Sequence, residues 1–324
     1  MRRRERRGVS EETGLVPLVL DRRAVTAAAD LPALVEELRQ GYAEGRRAAA
    51  RTPLRTTVTT ADPPAMFGVM PSVSARDGLF VTKLAALVPD RPAGEPAIHA
   101  LSVVMSTRTG RPLAVLDGAA VTDLRCAAVT ALVTDVCTPS RPLHVGLIGS
   151  GVLARQQLRG TIAVRPIASV RVASRRVENA EAFARWAVGL VGPECPVEVA
   201  EGPDDVLVGR DVICTATGSA EPLVNRLPAG PVHVNCMGAH AADRREIAAD
   251  LLREHLVLVE DLDLALAEAG PAHRDAMDLG TLLADVPADL ASRTTVFSST
   301  GDPWADLVTA GHVLRLARDR VAVG

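Results

Sequence analysis

The hydrophobic rhythm of the chain changes twice. Between about residues 13 and 118 a single helical stretch precedes a series of short extended runs. Leu31, Leu34, Val35 and Leu38 recur at helical spacing behind Asp30, whose side chain suits an N-cap. Apolar runs over residues 54–60, 66–70, 79–86, 98–106 and 112–117 are then separated by turn formers such as Asp62-Pro63-Pro64, Arg91-Pro92 and Thr109-Gly110. Strands that follow one another without helices between them predict an antiparallel sheet. From about 119 to 298 the pattern alternates: apolar runs at 145–148, 170–173, 212–215, 233–236 and 256–259 are spaced by helix-length segments. That alternation predicts an α/β architecture with a doubly wound parallel sheet. The tail over 302–320 sets Trp304, Leu307, Val308, His312, Leu314 and Leu316 at helix-compatible spacing, with Pro303 suited to a first turn.

Length and composition narrow the function classes. A chain of 324 residues is about twice a typical domain, so two domains are expected. Apolar residues make up 48% and charged residues 23%, which excludes a disordered or fibrous protein. The net charge of −3 carries no basic excess, and Tyr42 is the single tyrosine, so neither phosphate-backbone binding nor base stacking is supported. Five cysteines without a CxxC pair suggest neither a disulfide framework nor a zinc site, and the histidines show no metal-ligand spacing. No apolar run reaches the roughly 18 residues of a membrane helix. The basic opening, residues 1–7, lacks a following apolar core and reads as a frayed arm rather than a secretory signal. A cytoplasmic protein is the expectation.

Candidate chemistry begins with one residue. Of 36 cationic side chains, Lys83 is the single lysine, in a chain that uses arginine wherever a positive charge is needed. A lysine retained against such a bias marks a place for a compact ammonium that transfers protons. The second candidate is Gly149-Ser150-Gly151-Val152-Leu153-Ala154, which follows an apolar strand and opens a helix. In a GxGxxA turn the first glycine makes the tight bend, the second admits a pyrophosphate to the backbone, and the alanine lets helix and strand pack closely. Phosphate would then rest on the helix N-terminus. At the end of the next strand, where NAD-specific sites carry an acid, stand Ser174, Arg175 and Arg176. Two guanidinium groups suit a 2′-phosphate, which favours NADP(H) with NAD(H) as the alternative. Thr215 and Thr217, at the end of a parallel strand, are further cofactor-contact candidates.

Several segments together resemble the ornithine cyclodeaminase/mu-crystallin family, most nearly its mu-crystallin and ketimine reductase branch. They are Phe67-Gly68-Val69-Met70-Pro71 leading to Thr82-Lys83, Ala114-Val115-Leu116-Asp117-Gly118 through Thr122 to Arg125-Cys126-Ala127-Ala128, and the glycine turn. Asp211-Val212-Ile213-Cys214-Thr215-Ala216-Thr217, Val234-Asn235-Cys236-Met237-Gly238-Ala239 and Thr295-Val296-Phe297 through Gly301 to Asp306 continue the match. The resemblance implies a homodimer. It further implies a substrate-binding and dimerisation domain from both chain ends (1–119 with 300–324) around a Rossmann domain (120–299), with the active site between them. Carried over by position, Lys83 matches the active-site lysine, and Arg55 and Arg125 match the arginines that hold the substrate carboxylate, with Cys126 where the family motif has threonine.

The chain also departs from the family pattern. Ornithine cyclodeaminases carry an acid two residues before the Met-Pro pair and an aspartate after the fifth Rossmann strand, whereas this chain has Gly68 and His240. Ornithine is demoted accordingly, and His240 becomes a candidate proton shuttle. The expected activity is reduction of a C=N bond in a small cyclic ketimine or α-imino acid, or the reverse amino-acid dehydrogenation. The alternatives are an NAD-dependent cyclodeaminase and a non-catalytic protein that binds NADP or a small ligand.

Overall fold

The computed structural model describes residues 16–92, 95–238, 240–241 and 243–323, with the side chains of His240 and residues 321–323 outside the description. The basic segment at 1–7 lies outside the described residues. The chain opens with β1 (Leu18–Leu20), α1 (Arg22–Ala28), α2 (Leu31–Ala43) and α3 (Arg46–Ala49). Asp21 and Asp30 cap α1 and α2, each accepting from the backbone N–H three residues on. The strands β2 (Thr56–Ala61), β3 (Pro64–Ser74), β4 (Leu79–Leu87), β5 (Ile98–Ser106) and β6 (Pro112–Asp117) then form a six-stranded sheet in the order β1-β6-β5-β4-β3-β2. All its pairings are antiparallel except β1 with β6.

Alternation across this sheet sorts its residues. The face carrying Val81, Lys83, Ser102, Val104 and Leu116 is buried. It is covered by α4 (Gly118–Cys137) and by the last helix, α11 (Pro303–Val323), once the elements between them have been placed. The opposite face exposes Val19, Val58, Phe67, Val69, Leu84 and Leu101, apolar side chains of five of the six strands.

After α4 come β7 (Leu143–Ile148), α5 (Val152–Val164), β8 (Ile167–Ala173), α6 (Val177–Val191), β9 (Val197–Val199), α7 (Pro203–Leu207), β10 (Val212–Thr215) and β11 (His233–Cys236). A two-stranded hairpin, β12 (His240–Ala241) with β13 (Arg244–Arg245), precedes α8 (Ala249–Glu254), β14 (Leu256–Val259), α9 (Leu262–Ala269), β15 (Met277–Asp278), α10 (Leu279–Ala284) and β16 (Thr295–Ser298). The large sheet is parallel throughout, in the order β15-β14-β16-β11-β10-β7-β8-β9. Its strand order reverses between β7 and β10, which makes the carboxyl end of β7 the topological switch point.

The helices of the first half, α4 and α11 enclose one apolar core around Tyr42, Leu132, Phe297 and Trp304, while two further cores line the faces of the parallel sheet. Tyr42 and Trp304 meet edge to face at 4.9 Å. Helix α11 runs along β4 and β3, so residues more than 200 positions apart line one cleft between the two sheets.

Candidate active site

The loop between β16 and α11 is the hub of the cleft. Ser299 donates through a short hydrogen bond to the carboxylate of Glu260, which follows β14. The carbonyl oxygen of Thr300 accepts from Arg55 Nη2 at 2.8 Å. Gly301 has φ +81°, and a Cβ there would stand 3.3 Å from Arg125 Nη2. Asp302 accepts from Arg47 Nε at 2.8 Å and from the Tyr42 hydroxyl at 3.1 Å. One turn later, Asp306 on α11 accepts from Lys83 Nζ at 2.7 Å.

The three positively charged residues expected from the sequence therefore gather around one loop. Lys83 on β4 is 7% exposed and also donates to Thr122 Oγ1 at 3.2 Å. An ammonium carries three donors, so one remains for a ligand. Arg125 on α4 is 6% exposed, and its nearest acidic atoms are Asp306 Oδ1 at 3.5 Å and Glu260 Oε1 at 3.9 Å. Its Nε, Asp306 Oδ1 and Glu260 Oε2 are buried without hydrogen-bond partners among the described residues. Arg55 differs. Its Nε donates to Glu268 of α9 at 2.6 Å, its Nη2 forms a second, shorter bond to the same carboxylate, and the pair spans the cleft.

The charges in this cluster shift one another. Burial alone would raise the Asp306 carboxyl, but Lys83 and Arg125 hold it below the ordinary aspartate value. Burial raises Glu260, against the pull of Arg125, and raises Glu268, against the pull of Arg55. Burial also opposes the charge on Arg125, yet its acidic neighbours Asp306 and Glu260 help push that guanidinium above the usual arginine value. The result is a compact, mostly dry group of two cations and two acids.

The glycine turn sits at the switch point. Gly149 has φ +111°, and a Cβ there would lie 2.4 Å from the Ala216 carbonyl oxygen, so the turn admits no other residue in this packing. Gly151 caps α5 and faces open space, with Val152 57% exposed and Leu153 half-buried behind it. The first backbone N–H groups of α5 have no intrahelical partners and point at that space. Ser150 Oγ donates to Ser174 Oγ at 2.9 Å, tying the turn to the end of β8. Arg175 and Arg176 follow, exposed and without an ion pair among the described residues. The turn and the open helix end behind it fit the pyrophosphate of a dinucleotide.

The two threonines at the end of β10 differ in their surroundings. Thr215 is fully buried and donates its hydroxyl to Glu246 Oε2 at 2.7 Å, and Thr217 gives its backbone N–H to Glu246 Oε1 at 2.6 Å. The Thr215 hydroxyl is thereby engaged by a carboxylate the sequence did not foretell, whereas Thr217 is half-buried and its hydroxyl accepts only the backbone N–H of Ser219 at 3.3 Å. His240 belongs to β12, pairing with Arg245, and its side chain lies outside the described residues.

Asp306, Glu260, Glu268 and Glu246 were not assigned roles from the sequence. Only Asp306 carries a readable signal: it is an acid in the mostly apolar first turns of the last helix, between Trp304 and Leu307. The glutamates have no local signature.

A glycine turn at the reversal point of a doubly wound parallel sheet defines the Rossmann class of dinucleotide-binding folds. The chain belongs to the ornithine cyclodeaminase/mu-crystallin family, whose model matches residues 16–321. It is 30% identical over 275 residues to the ketimine reductase mu-crystallin of Mus musculus, covering 83% of this chain and 86% of that one. The structure of Thermococcus litoralis Delta(1)-pyrroline-2-carboxylate reductase in complex with NADH and L-proline superposes with a TM-score of 0.83 at 25% identity, covering 94% of this chain and 98% of that one. A lysine cyclodeaminase structure, described with recognition of L-lysine, L-ornithine and L-2,4-diaminobutyric acid, matches at 28% identity and a TM-score of 0.82, covering 94% and 93%. Among the described residues, no helix is long and apolar enough to cross a membrane.

Proposed function

We propose that the protein is an NADPH-dependent oxidoreductase that reduces the C=N bond of a small cyclic ketimine or α-imino carboxylate, with amino-acid dehydrogenation as the reverse direction. The observation that carries this reading is the buried guanidinium of Arg125, whose acidic neighbours come no nearer than 3.5 Å, beside an ammonium that keeps a spare donor. A buried cation with unpaired donors fits a carboxylate, and an adjacent proton donor fits the nitrogen next to it. The two reductases named above act on substrates of that description by their printed names.

Arg125 and Arg55 hold the α-carboxylate and fix the ring relative to the cleft. Lys83 gives the proton to the nitrogen as the C=N bond becomes CH–NH. Asp306 orients that ammonium and offsets its repulsion from Arg125. His240 is the second proton-handling residue of this reading. Bound NADPH supplies the hydride taken up by the imine carbon. Gly149, Ser150, Gly151, Val152 and Leu153 form the pyrophosphate cradle, and Ser174, Arg175 and Arg176 take the 2′-phosphate.

The fold divides in this reading into a substrate-binding and dimerisation part, 1–119 with 300–324, and a dinucleotide part, 120–299. The exposed apolar face of the six-stranded sheet supports a homodimer, since burying it needs a self-complementary partner. Light scattering of the protein and of a Val69→Glu/Leu84→Glu variant tests this: a dimer that becomes a monomer is expected, and a monomeric parent refutes it.

A cyclodeaminase lyase is the second reading, favoured by Glu260 and Glu268, two cleft carboxylates that a distal amine could meet. The deciding experiment follows nicotinamide absorbance with NADPH or NADH and a panel of cyclic ketimines, beside ammonia release from ornithine and lysine with NAD. Substrate-dependent NADPH loss supports the reductase. Ammonia release without net cofactor change replaces it with the lyase, and cofactor binding without either reaction replaces both with a binding protein.

A further inference from the structure

The parallel sheet holds a buried carboxylate to which the mechanism above gives no task. Glu246 is 1% exposed and lies just after the β12–β13 hairpin. Its Oε1 accepts the backbone N–H of Thr217 at 2.6 Å, and its Oε2 accepts the hydroxyl of Thr215 and the backbone N–H of Gly238, both at 2.7 Å. Its own carbonyl oxygen accepts from the backbone N–H groups of Leu223 and Val224. One residue thus ties together the ends of β10 and β11 and the segment that connects them.

The loop so held is confined on two further sides. The Ala216 carbonyl oxygen presses on the Cα of Gly149, where a Cβ would come to 2.4 Å. Thr217 presses on Gly238, where a Cβ would meet its N and O at 2.3 Å and Glu246 Oε1 at 2.6 Å. Residues 215–217 are therefore gripped between the pyrophosphate turn on one side and the loop after β11 on the other. Both loops lie outside the carboxyl ends of strands, across the switch point from Ser174 and Arg175. In a doubly wound sheet that half of the crevice takes the end of the dinucleotide that does not carry the adenine.

We propose that Glu246 is a positioning residue for the nicotinamide half of the cofactor, acting by fixing the loops after β10 and β11 through Thr215, Thr217 and Gly238. The proposal rests on the dinucleotide reading above. Its carboxylate form matters because both oxygens accept. An amide in its place turns one oxygen into a donor and sets an N–H against an N–H. The loops then lose a charge-assisted bond, and with it the shape of the nicotinamide side of the crevice, while the adenine side keeps its contacts.

The test measures dissociation constants by titration for NADPH paired with 2′-phospho-ADP-ribose, and for NADH paired with ADP-ribose, the second member of each pair lacking nicotinamide. Glu246→Gln is expected to weaken the full dinucleotide about tenfold, the cost of one lost bond to a charged acceptor, and to shift the fragment less than about twofold. Thr215→Val, which deletes one donor and keeps the carboxylate, is expected to act in the same direction to a smaller extent and serves if the first variant does not fold. Equal weakening of dinucleotide and fragment in the soluble variant, or no weakening of either, overturns the proposal. A wild-type protein that binds neither dinucleotide overturns the reading on which it rests.

Discussion

Removing the carboxylate of Asp306 should both destabilise the protein and stop turnover, and the two effects can be separated. Lys83 Nζ lies 2.7 Å and Arg125 Nε 3.5 Å from this carboxylate, and all three residues are buried. At an effective dielectric of about 20, charges at these distances attract by about 6 and about 5 kcal/mol. Desolvation of buried ions, several kcal/mol each, cancels more than half of that, and deleting one partner of such a group costs about 3–5 kcal/mol. In Asp306→Asn the two cations face each other without their shared acid. A fall of about 5 °C or more in the melting temperature is expected by scanning calorimetry, together with a loss of about 10²–10⁴-fold in kcat. The companion variant Lys83→Met/Asp306→Leu replaces the pair by apolar groups of similar size. It should regain most of the lost stability, since well-packed apolar residues commonly match a buried ion pair, but regain none of the activity. If Asp306→Asn melts within a degree of the parent, the charges are not buried as the structure has them. If the double variant regains turnover, Lys83 is not the proton donor.

Three further outcomes are expected. Arg125→Lys should raise KM for the imino acid about 30-fold or more through the loss of fork geometry, with the NADPH dissociation constant within about twofold of the parent. An unchanged KM would remove Arg125 from the carboxylate site. Arg175→Ala should lower the preference for NADPH over NADH about tenfold or more, and an unchanged preference would return the 2′-phosphate to another residue. Burial lowers His233 from about 6.5 to about 4, so it is neutral in the fold. Its neutral form is native-compatible, so stability is full above about 6.5 and falls as pH drops toward 4, by about 3 kcal/mol at most from this group. Urea midpoints across that window should fall in the parent and fall less in His233→Gln; equal slopes would assign the acid sensitivity elsewhere.

Where a pattern is long and local, the sequence was readable. Periodicity placed β4, β5, β6, β10, β11 and β14 within a residue of their observed bounds, whereas β3, read over 66–70, runs from Pro64 to Ser74, and β7 and β8 begin two and three residues earlier than read. The three-residue strands β1 and β9 were not read as strands, since so few residues cannot show alternation, and neither was β16, whose Thr-Val-Phe-Ser carries only two apolar side chains. Their place is decided by partners far along the chain, as when Thr295–Ser298 inserts between β11 and β14. The same contrast governs the cleft. Lys83 stood out because it is unique, and Gly149 because its motif is contiguous. Glu246, Glu260 and Glu268 are three of 39 acidic residues, and only the folded chain brings them to Thr215, Ser299 and Arg55.

The return of α11 to the first sheet also sets a timetable for synthesis. Lys83 is translated early, but Asp306 and the helix that covers β3 and β4 come after the entire parallel sheet. At about 5–20 residues per second, the stretch from Asp117 to Pro303 keeps a ribosome occupied for about 10–40 s. During that interval the six-stranded sheet has apolar surface on both sides, the outer one unpartnered and the inner one still lacking its helix. The parallel sheet can condense while the chain is still tethered, but the six-stranded sheet must wait. Nascent chains paused in this window are the form most exposed to aggregation and to chaperone capture.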